Sequence, residues 1–151
     1  MSGARTGESV PEIPTKTGLL VKRLALEFDK KANPALQAYG LTGAQYKLLR
    51  YLYANKDVPV RQVDLERFHS LTHPTAIGLL TALENKGFVE RRRNPEDGRS
   101  RLVSATEKAL KLEPALRKLG DDIDAELTAP LTPEEHEQLV ALLRKLMTQY
   151  V

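Results

Sequence analysis

The segment Asn94–Arg101, NPEDGRSR, constrains the fold more than any other stretch of this chain, because it sets a tight turn between two groups of arginines. The run Arg91–Arg93 precedes the turn, and Arg99 and Arg101 lie at its far end. An Asp-Gly pair between extended segments favours a β-hairpin, since both residue types tolerate the positive backbone angles of hairpin turns. The segment therefore predicts a basic β-hairpin with Arg99 at its tip.

Two short helices are predicted before this hairpin. The first runs from Val60 to about Phe68, and its apolar residues are Val63, Leu65 and Phe68. After a brief turn, the second helix has Thr72 as its N-cap and ends at Gly87, and its exposed start carries Thr72, His73 and Thr75. Two short helices followed by a basic hairpin have the outline of a winged helix-turn-helix, whose second helix enters the DNA major groove N-terminus first.

A longer helix is predicted on the N-terminal side of this region. An apolar stripe that includes Leu20 and Leu24 indicates a helix from about residue 19, which Pro34 should kink or break. Gly40 suits a helix end, and the segment Thr42–Gln45 has the residues of a capping box that starts the next helix. This boundary is well marked in the sequence.

Two helices are predicted after the hairpin. Thr106 is the expected N-cap of a long helix, and the capping box Thr132–Glu135 starts a final one. The apolar stripe of the final helix consists of Leu139, Leu142, Leu143, Leu146, Met147 and Tyr150. This is too much apolar surface for a terminal helix to leave in water. It can be covered by the first helix of the same chain or by a second copy, and we favour a dimer interface to which Leu20 and Leu24 contribute.

Composition narrows the function classes. At 151 residues the chain fits one compact unit, and it has no cysteine, which excludes disulfides and thiolate metal sites. Its formal charge of +3 permits an anionic partner without requiring one. No apolar run is long enough for a membrane span or a signal sequence, so we expect a cytoplasmic protein. Since no nucleophile elbow, HExxH motif or phosphate-binding glycine loop is present, we expect no enzyme activity, no cofactor and no metal.

Several short motifs at the predicted helix boundaries and in the hairpin resemble those of a known family. The sharpest motifs are Gly40-Leu41-Thr42 with Gln45, Leu83-Glu84 with Gly87, and Asp97 with Arg99-Ser100. Over roughly residues 19–150 the chain resembles the MarR family of bacterial transcription regulators. The resemblance implies a mainly α fold with a small β-hairpin wing, in an obligate homodimer. It implies dimerisation helices at 18–40 and 106–151 and a winged-helix DNA-binding lobe at 41–105. Residues 1–17 lie outside the resemblance, and their polar composition predicts a flexible segment.

The side chains expected to contact double-stranded DNA are Thr72, His73, Thr75, Arg92, Arg93, Arg99 and Arg101. Guanidinium groups match phosphate geometry, and polar side chains at a helix start can hydrogen-bond to base edges. The resemblance implies that Arg99 enters the minor groove while Asp97 holds it in place, with Gly98 in the supporting turn. Arg91 is equally well explained as a structural ion-pair partner of Asp97 or Glu84.

The resemblance also implies a mode of regulation. Members of the family often act as repressors that release DNA on binding a small, frequently aromatic ligand among the first, second and fifth helices. Tyr46 and Tyr53 are the candidate lining residues here, with packing as the alternative role for both. A two-fold symmetric dimer would place its recognition helices about 34 Å apart, so a pseudo-palindromic operator is expected.

Three departures from the family pattern leave the target sequence unpredictable. Ile77 and Gly78 stand where polar side chains are common in the recognition helix, and Glu66 replaces the small residue usual in the third helix. Ile77 and Gly78 keep open a second hypothesis, a winged-helix module that binds protein without sequence-specific DNA binding.

Overall fold

The computed structural model describes residues 12–151, so most of the predicted flexible segment, residues 1–11, lies outside the described residues. Residues 12–151 form six α-helices and one antiparallel sheet with strand order β1-β3-β2. The elements are α1 (Thr17–Gln37), α2 (Gly43–Ala54), β1 (Val60–Arg61), α3 (Gln62–His69), α4 (His73–Asn85), β2 (Val89–Arg93), β3 (Arg101–Ala105), α5 (Glu107–Thr128) and α6 (Pro133–Met147). Within this part of the chain, no helix is long and apolar enough to cross a membrane. The predicted fold class, mainly α with a small hairpin, is confirmed.

The boundary between α1 and α2 forms as the sequence predicts. Gly40 has a φ of +70°, and the Leu41 N–H donates to the Leu36 carbonyl over 3.1 Å, which is the wide hydrogen bond of a Schellman motif. The Gln45 N–H then donates to the Thr42 hydroxyl, and the Thr42 N–H donates to the Gln45 side chain, each over 3.2 Å. These three hydrogen bonds fix the angle at which α2 leaves α1.

Helix α1 does not end at Pro34. It continues through the proline to Gln37, so the expectation of a break there is wrong. Pro34 removes one backbone donor from the helix, but Ala32 and Leu36 on either side of it are almost fully buried. Packing of these two side chains holds the last turn in helical form.

The first helix of the helix-turn-helix begins two residues later than predicted. Val60 and Arg61 form strand β1, in which Val60 pairs with Val103 of β3, and α3 starts at Gln62. The prediction that Phe68 is an apolar packing residue of α3 is also wrong in part. Leu65 is fully buried, whereas Phe68 is 56% exposed and contacts the rings of Tyr51 and His69, at centroid distances of 4.9 and 5.0 Å.

A single hydrophobic core lies between the end of α1, the helices α2, α3 and α4, the sheet, and α5. Its fully buried large side chains are Leu36, Leu48, Leu49, Leu65, Leu80, Leu83, Val89 and Leu116. Thr106 joins the sheet to α5, because its hydroxyl accepts from the Ala109 N–H over 3.3 Å and donates to the Gly87 carbonyl over 2.6 Å. The core therefore fixes α4 and the hairpin relative to each other.

Helix α6 begins at the predicted capping box but buries no side chain. The Glu135 N–H donates to the Thr132 hydroxyl over 3.2 Å. Apolar residues of α6 and the segment after it are exposed, namely Leu139, Val140, Leu142, Leu143, Leu146, Met147, Tyr150 and Val151. Leu24 of α1 is 52% exposed as well, so α1 of the same chain does not cover this stripe. The dimer interface, like the predicted division into lobes, stays a prediction.

Candidate nucleic-acid interface

The exposed start of α4 is held by a side-chain cap. The Thr72 hydroxyl accepts from the Thr75 N–H over 3.4 Å, and His73 and Pro74 occupy the first turn. Proline costs nothing there, since the first backbone donors of a helix have no partner within it. Thr72, His73 and Thr75 are all exposed, so this helix start presents polar side chains and free N–H groups outwards.

The turn between α3 and α4 bends sharply at a residue other than glycine. Ser70 has a φ of 52°, in the left-handed region, and the Leu71 N–H donates to the Glu66 carbonyl over 2.9 Å. A left-handed residue with a side chain costs about 1–2 kcal/mol. This hydrogen bond and the burial of Leu65 and Ala76 on the two flanking helices offset that cost. The turn sets the angle between the two helices.

The hairpin forms, but its turn differs from the one predicted. Strands β2 and β3 pair in register from Val89 opposite Ala105 to Arg93 opposite Arg101, and the loop at residues 94–100 joins them. Gly98 is not among the glycines with positive φ, so the expected backbone reason for this glycine is wrong. A Cβ at Gly98 would stand 2.6 Å from the Arg93 Nη2 atom instead. Because this atom is at the far end of a flexible and exposed side chain that can move aside, the close approach alone does not require a glycine here.

Asp97 positions the backbone of Arg99 and makes no ion pair with its guanidinium. The Asp97 carboxylate accepts from the Arg99 N–H over 3.1 Å, and the Ser100 N–H donates to the Asp97 carbonyl over 3.0 Å. The sequence-derived expectation that Asp97 holds Arg99 thus applies to the loop and not to the side-chain charge. Among residues 12–151, no ion pair occupies the arginines expected to contact DNA, Arg92, Arg93, Arg99 and Arg101.

Arg91 differs from these four arginines because it is tied to α4. Its Nη2 atom lies 3.2 Å from Glu84 Oε1 and donates to the Thr81 hydroxyl over 3.1 Å, and its side chain is only 19% exposed. The hydrogen bond from Arg91 lowers the pKa of Glu84. The sequence left Asp97 and Glu84 open as partners of Arg91, and the structure pairs Arg91 with Glu84. Arg91 therefore fixes the hairpin to the recognition helix.

A cleft of about 590 Å³ separates α4 from the hairpin. Its lining residues are Gln62, His73, Ile77, Glu84, Arg91, Arg99 and Arg101. The structure thus brings three expected DNA contacts together, one from the helix start and two from the hairpin, whereas Arg92 and Arg93 lie outside the cleft. Gln62 was not expected at this site. Glu66 does not line the cleft, but it contacts His73, which does: its Oε1 atom lies 2.5 Å from His73 Nδ1.

The two candidate ligand-lining tyrosines join α2 to α5. The Tyr46 hydroxyl donates to the Leu116 carbonyl over 3.2 Å, and the Tyr53 hydroxyl donates to the Ala109 carbonyl over 2.6 Å. Burial raises the pKa of both phenols, that of Tyr53 to about 12. A cavity of about 270 Å³ lies beside them, and its remaining lining residues are Arg50, Ala54, Glu113, Leu116 and Arg117. Packing is their observed role, and the ligand role stays a prediction.

The histidine next to the helix-turn-helix turn is enclosed without a partner. Burial lowers the pKa of His69, and its Nε2 atom has no hydrogen-bond partner among residues 12–151. In the same part of the chain, no three His, Asp or Glu side chains are grouped closely enough to hold a metal ion.

These features define a class of protein. A helix-turn-helix with an exposed recognition-helix start, followed by a basic hairpin, is a winged helix-turn-helix. The model of the MarR family matches residues 39–100. The transcriptional regulator HosA of Escherichia coli is 36% identical over 108 residues, which cover 71% of this chain and 78% of HosA. The multiple antibiotic resistance protein MarR of Escherichia coli is 30% identical over 131 residues, covering 86% and 90% of the two chains.

Solved structures agree with these relatives. The complex of Staphylococcus aureus MepR with DNA has a TM-score of 0.77 at 29% identity, covering 90% of this chain and 99% of MepR. A mutant Escherichia coli MarR complexed with operator DNA has a TM-score of 0.74 at 30% identity, covering 86% and 92%. The chain belongs to the MarR family of transcription regulators.

Replacing Arg91 with glutamine is expected to raise the pKa of Glu84, because the hydrogen bond from Arg91 is the main cause that lowers it. The stability that this pair contributes is present above the usual glutamate pKa and is lost as the pH falls through the lowered value. NMR titration of the Glu84 carboxyl in wild type and Arg91→Gln measures the effect. Arg92→Gln, at the next and exposed position, is the control. An identical Glu84 titration in wild type and Arg91→Gln would contradict the ion pair.

Proposed function

We propose that this regulator binds a pseudo-palindromic operator as a homodimer in the cytoplasm and acts as a ligand-responsive repressor. The observation that carries the proposal is the pair of surfaces facing the cleft. One is the exposed start of α4 with His73, and the other is the hairpin with Arg99 and Arg101. The similarity to MepR in its complex with DNA and to MarR in its complex with operator DNA supports the DNA-binding part of the proposal.

The arginines of the hairpin are proposed to contribute affinity for DNA of any base sequence. Arg92, Arg93, Arg99 and Arg101 are exposed, and each guanidinium that neutralises a phosphate releases counterions. Arg99, positioned by the carboxylate of Asp97, is the residue proposed to enter the minor groove, where narrow A·T-rich segments concentrate negative potential. The affinity should therefore fall steeply with salt.

The start of α4 supplies contacts in the major groove. Thr72 and the free N–H groups of the first turn are suited to a phosphate, and His73 and Thr75 are suited to base edges. Ile77 is 39% exposed beside them and offers an apolar contact, for which the methyl group of thymine is the matching partner. This division between phosphate and base contacts fits a protein that recognises a particular sequence.

The uncovered apolar side chains of α6 and α1 support a homodimer. Each fully buried leucine contributes about 1.5–3 kcal/mol, whereas an exposed ion pair contributes about 0–1 kcal/mol. The apolar residues concerned are the partly buried Leu20 and the exposed Leu24 of α1, with the exposed Leu139, Leu142, Leu143 and Leu146 of α6. Burying these side chains between two copies outweighs the surface charges around them, and two-fold symmetry then requires a pseudo-palindromic operator.

The cavity beside Tyr46 and Tyr53 is the proposed site for a small aromatic effector. Arg50 and Arg117 on its rim suit a carboxylate, and the Arg50 guanidinium lies 5.8 Å from the centre of the Tyr46 ring. The cavity lies between α2 of the lobe and α5, so a ligand that favours one arrangement of these helices would change the spacing of the recognition helices.

Arg99→Ala is expected to weaken binding to an operator selected from random DNA and to lower the slope of log affinity against log salt by about one. Arg117→Ala is the control, because Arg117 is an exposed arginine on α5 that pairs with Glu113. Filter binding across a salt series measures both variants. An unchanged slope in Arg99→Ala would contradict the hairpin contact, and the absence of salt-dependent DNA binding in wild type would favour a protein-binding module.

Leu143→Glu is expected to convert the dimer to monomers, because it places a charge in the middle of the apolar stripe of α6. Ala141→Glu adds the same charge on the opposite face of the helix and should stay dimeric. Sedimentation equilibrium measures the mass, and far-UV circular dichroism identifies unfolded protein. A Leu143→Glu dimer with wild-type affinity would contradict the interface.

Arg50→Gln is expected to abolish the release of DNA by aromatic acids while DNA binding without them is retained, because Arg50 is the proposed partner of the acid's carboxylate. DNA affinity is measured with a panel of benzoate and hydroxybenzoates. Lys47→Gln removes a positive charge from the same helix outside this cavity and is the control. An affinity that no acid in the panel changes in wild type would contradict an effector of this class.

A further inference from the structure

Glu66 is a carboxylate that contacts two residues lining the cleft, His73 and Gln62, and it links the two helices of the helix-turn-helix. Its Oε1 atom lies 2.5 Å from Nδ1 of His73 on α4 and accepts from Nε2 of Gln62, one turn earlier on α3, over 3.4 Å. The Glu66 side chain is only 15% exposed, and that of His73 is 67% exposed. Glu66 is thus enclosed, while the ring that it contacts is open to solvent.

A negative charge in this position works against the proposed function. Carboxylates near DNA repel its phosphates and lower the affinity for every sequence. The exposed cations that line the cleft, Arg99 and Arg101, act in the opposite direction. Glu66 therefore lowers the general attraction to DNA, and a benefit to sequence recognition would explain its presence.

The chemistry of the contact specifies such a benefit. An ionised carboxylate only accepts hydrogen bonds, so Nδ1 of His73 must carry a proton at this distance. In the neutral ring, Nε2 is then left as an acceptor, and no residue among 12–151 bonds to it. In the major groove the donors on base edges are the exocyclic amino groups of adenine and cytosine, while guanine and thymine present acceptors at the corresponding positions.

We propose that Glu66 is a positioning residue for sequence recognition, which holds His73 so that its Nε2 atom accepts from the amino group of an adenine or cytosine. This inference rests on the proposed DNA binding. The contact could otherwise serve only to fasten α3 to α4. The two roles differ in what they predict, because a fastening role changes stability, whereas the positioning role changes the preference at one base pair of each half-site.

Two variants and one control separate these roles. Glu66→Gln keeps the size of the side chain, but its amide can donate to Nδ1 as well as accept from it, so the ring is no longer held in one tautomer. Glu66→Ala removes the contact and favours helix, so it serves if the first variant does not fold. Glu96→Gln is the control, because Glu96 is an exposed carboxylate in the hairpin loop that does not contact His73.

The first measurement is made without DNA. Nitrogen-15 NMR of the His73 ring at alkaline pH, where a histidine ring is neutral, is expected to report a proton on Nδ1 in wild type and in Glu96→Gln. In Glu66→Gln and Glu66→Ala the signal should shift towards the tautomer protonated at Nε2. A wild-type ring protonated at Nε2 would overturn the inference and would leave the proposed DNA binding unaffected.

The second measurement is selection of bound sequences from random DNA. Wild type and Glu96→Gln are expected to prefer adenine or cytosine at one position of each half-site by roughly fivefold or more. Both Glu66 variants and His73→Ala should reduce that preference to less than about twofold, with other positions unchanged. A wild-type preference retained in Glu66→Gln, or the lack of any position with an adenine or cytosine preference that His73→Ala removes, would overturn the inference. A wild type that selects no sequence at all would overturn the proposed function together with it.

Discussion

Strand β3 pairs with both other strands, and this pairing positions every element that faces the proposed DNA site. Its ladder with β2 places Arg101 opposite Arg93, and its ladder with β1 places Val103 opposite Val60, so that α3 begins directly at the sheet. Leu102 and Val103 point to opposite faces and are both buried, which means that the sheet is covered on each side. The hairpin arginines and the recognition helix therefore keep a fixed separation.

The parts of the fold that could be predicted from sequence depend on contacts between near neighbours. The hydrogen bonds at Gly40 and at the capping boxes of Thr42 and Thr132 join residues three to five positions apart, so the local sequence is enough to predict them. The strand at Val60 could not be predicted in this way, because it exists only through pairing with a strand far along the chain. The same limit applies to the turn at Gly98, because the approach of the Arg93 side chain depends on the strand pairing and Gly98 is not among the glycines with a positive φ.

The sequence could predict which basic residues lie at the candidate site, but it could not predict the contacts of the acidic residues there. A group of arginines on both sides of a turn is visible in the sequence alone, and Arg92, Arg93, Arg99 and Arg101 are exposed in the structure. Glu66 and Glu84 each find their partner seven residues away, across a turn between two elements, where the sequence spacing has no fixed meaning. For Arg91 the sequence left two acidic partners open, and only the packing of the hairpin against α4 selects between them. The balance of charge at this surface is thus a property of tertiary structure.

Helix α6 buries no side chain within its own chain, and this has a thermodynamic consequence. An isolated helix of its length is marginal in water, since its hydrogen bonds barely exceed the entropy lost in forming it. In the proposed homodimer the energy that keeps it ordered would come from association, and folding of the last segment and assembly would be linked by mass action. In such a linkage the abundance of the protein in the cell would determine how much of it is structurally complete.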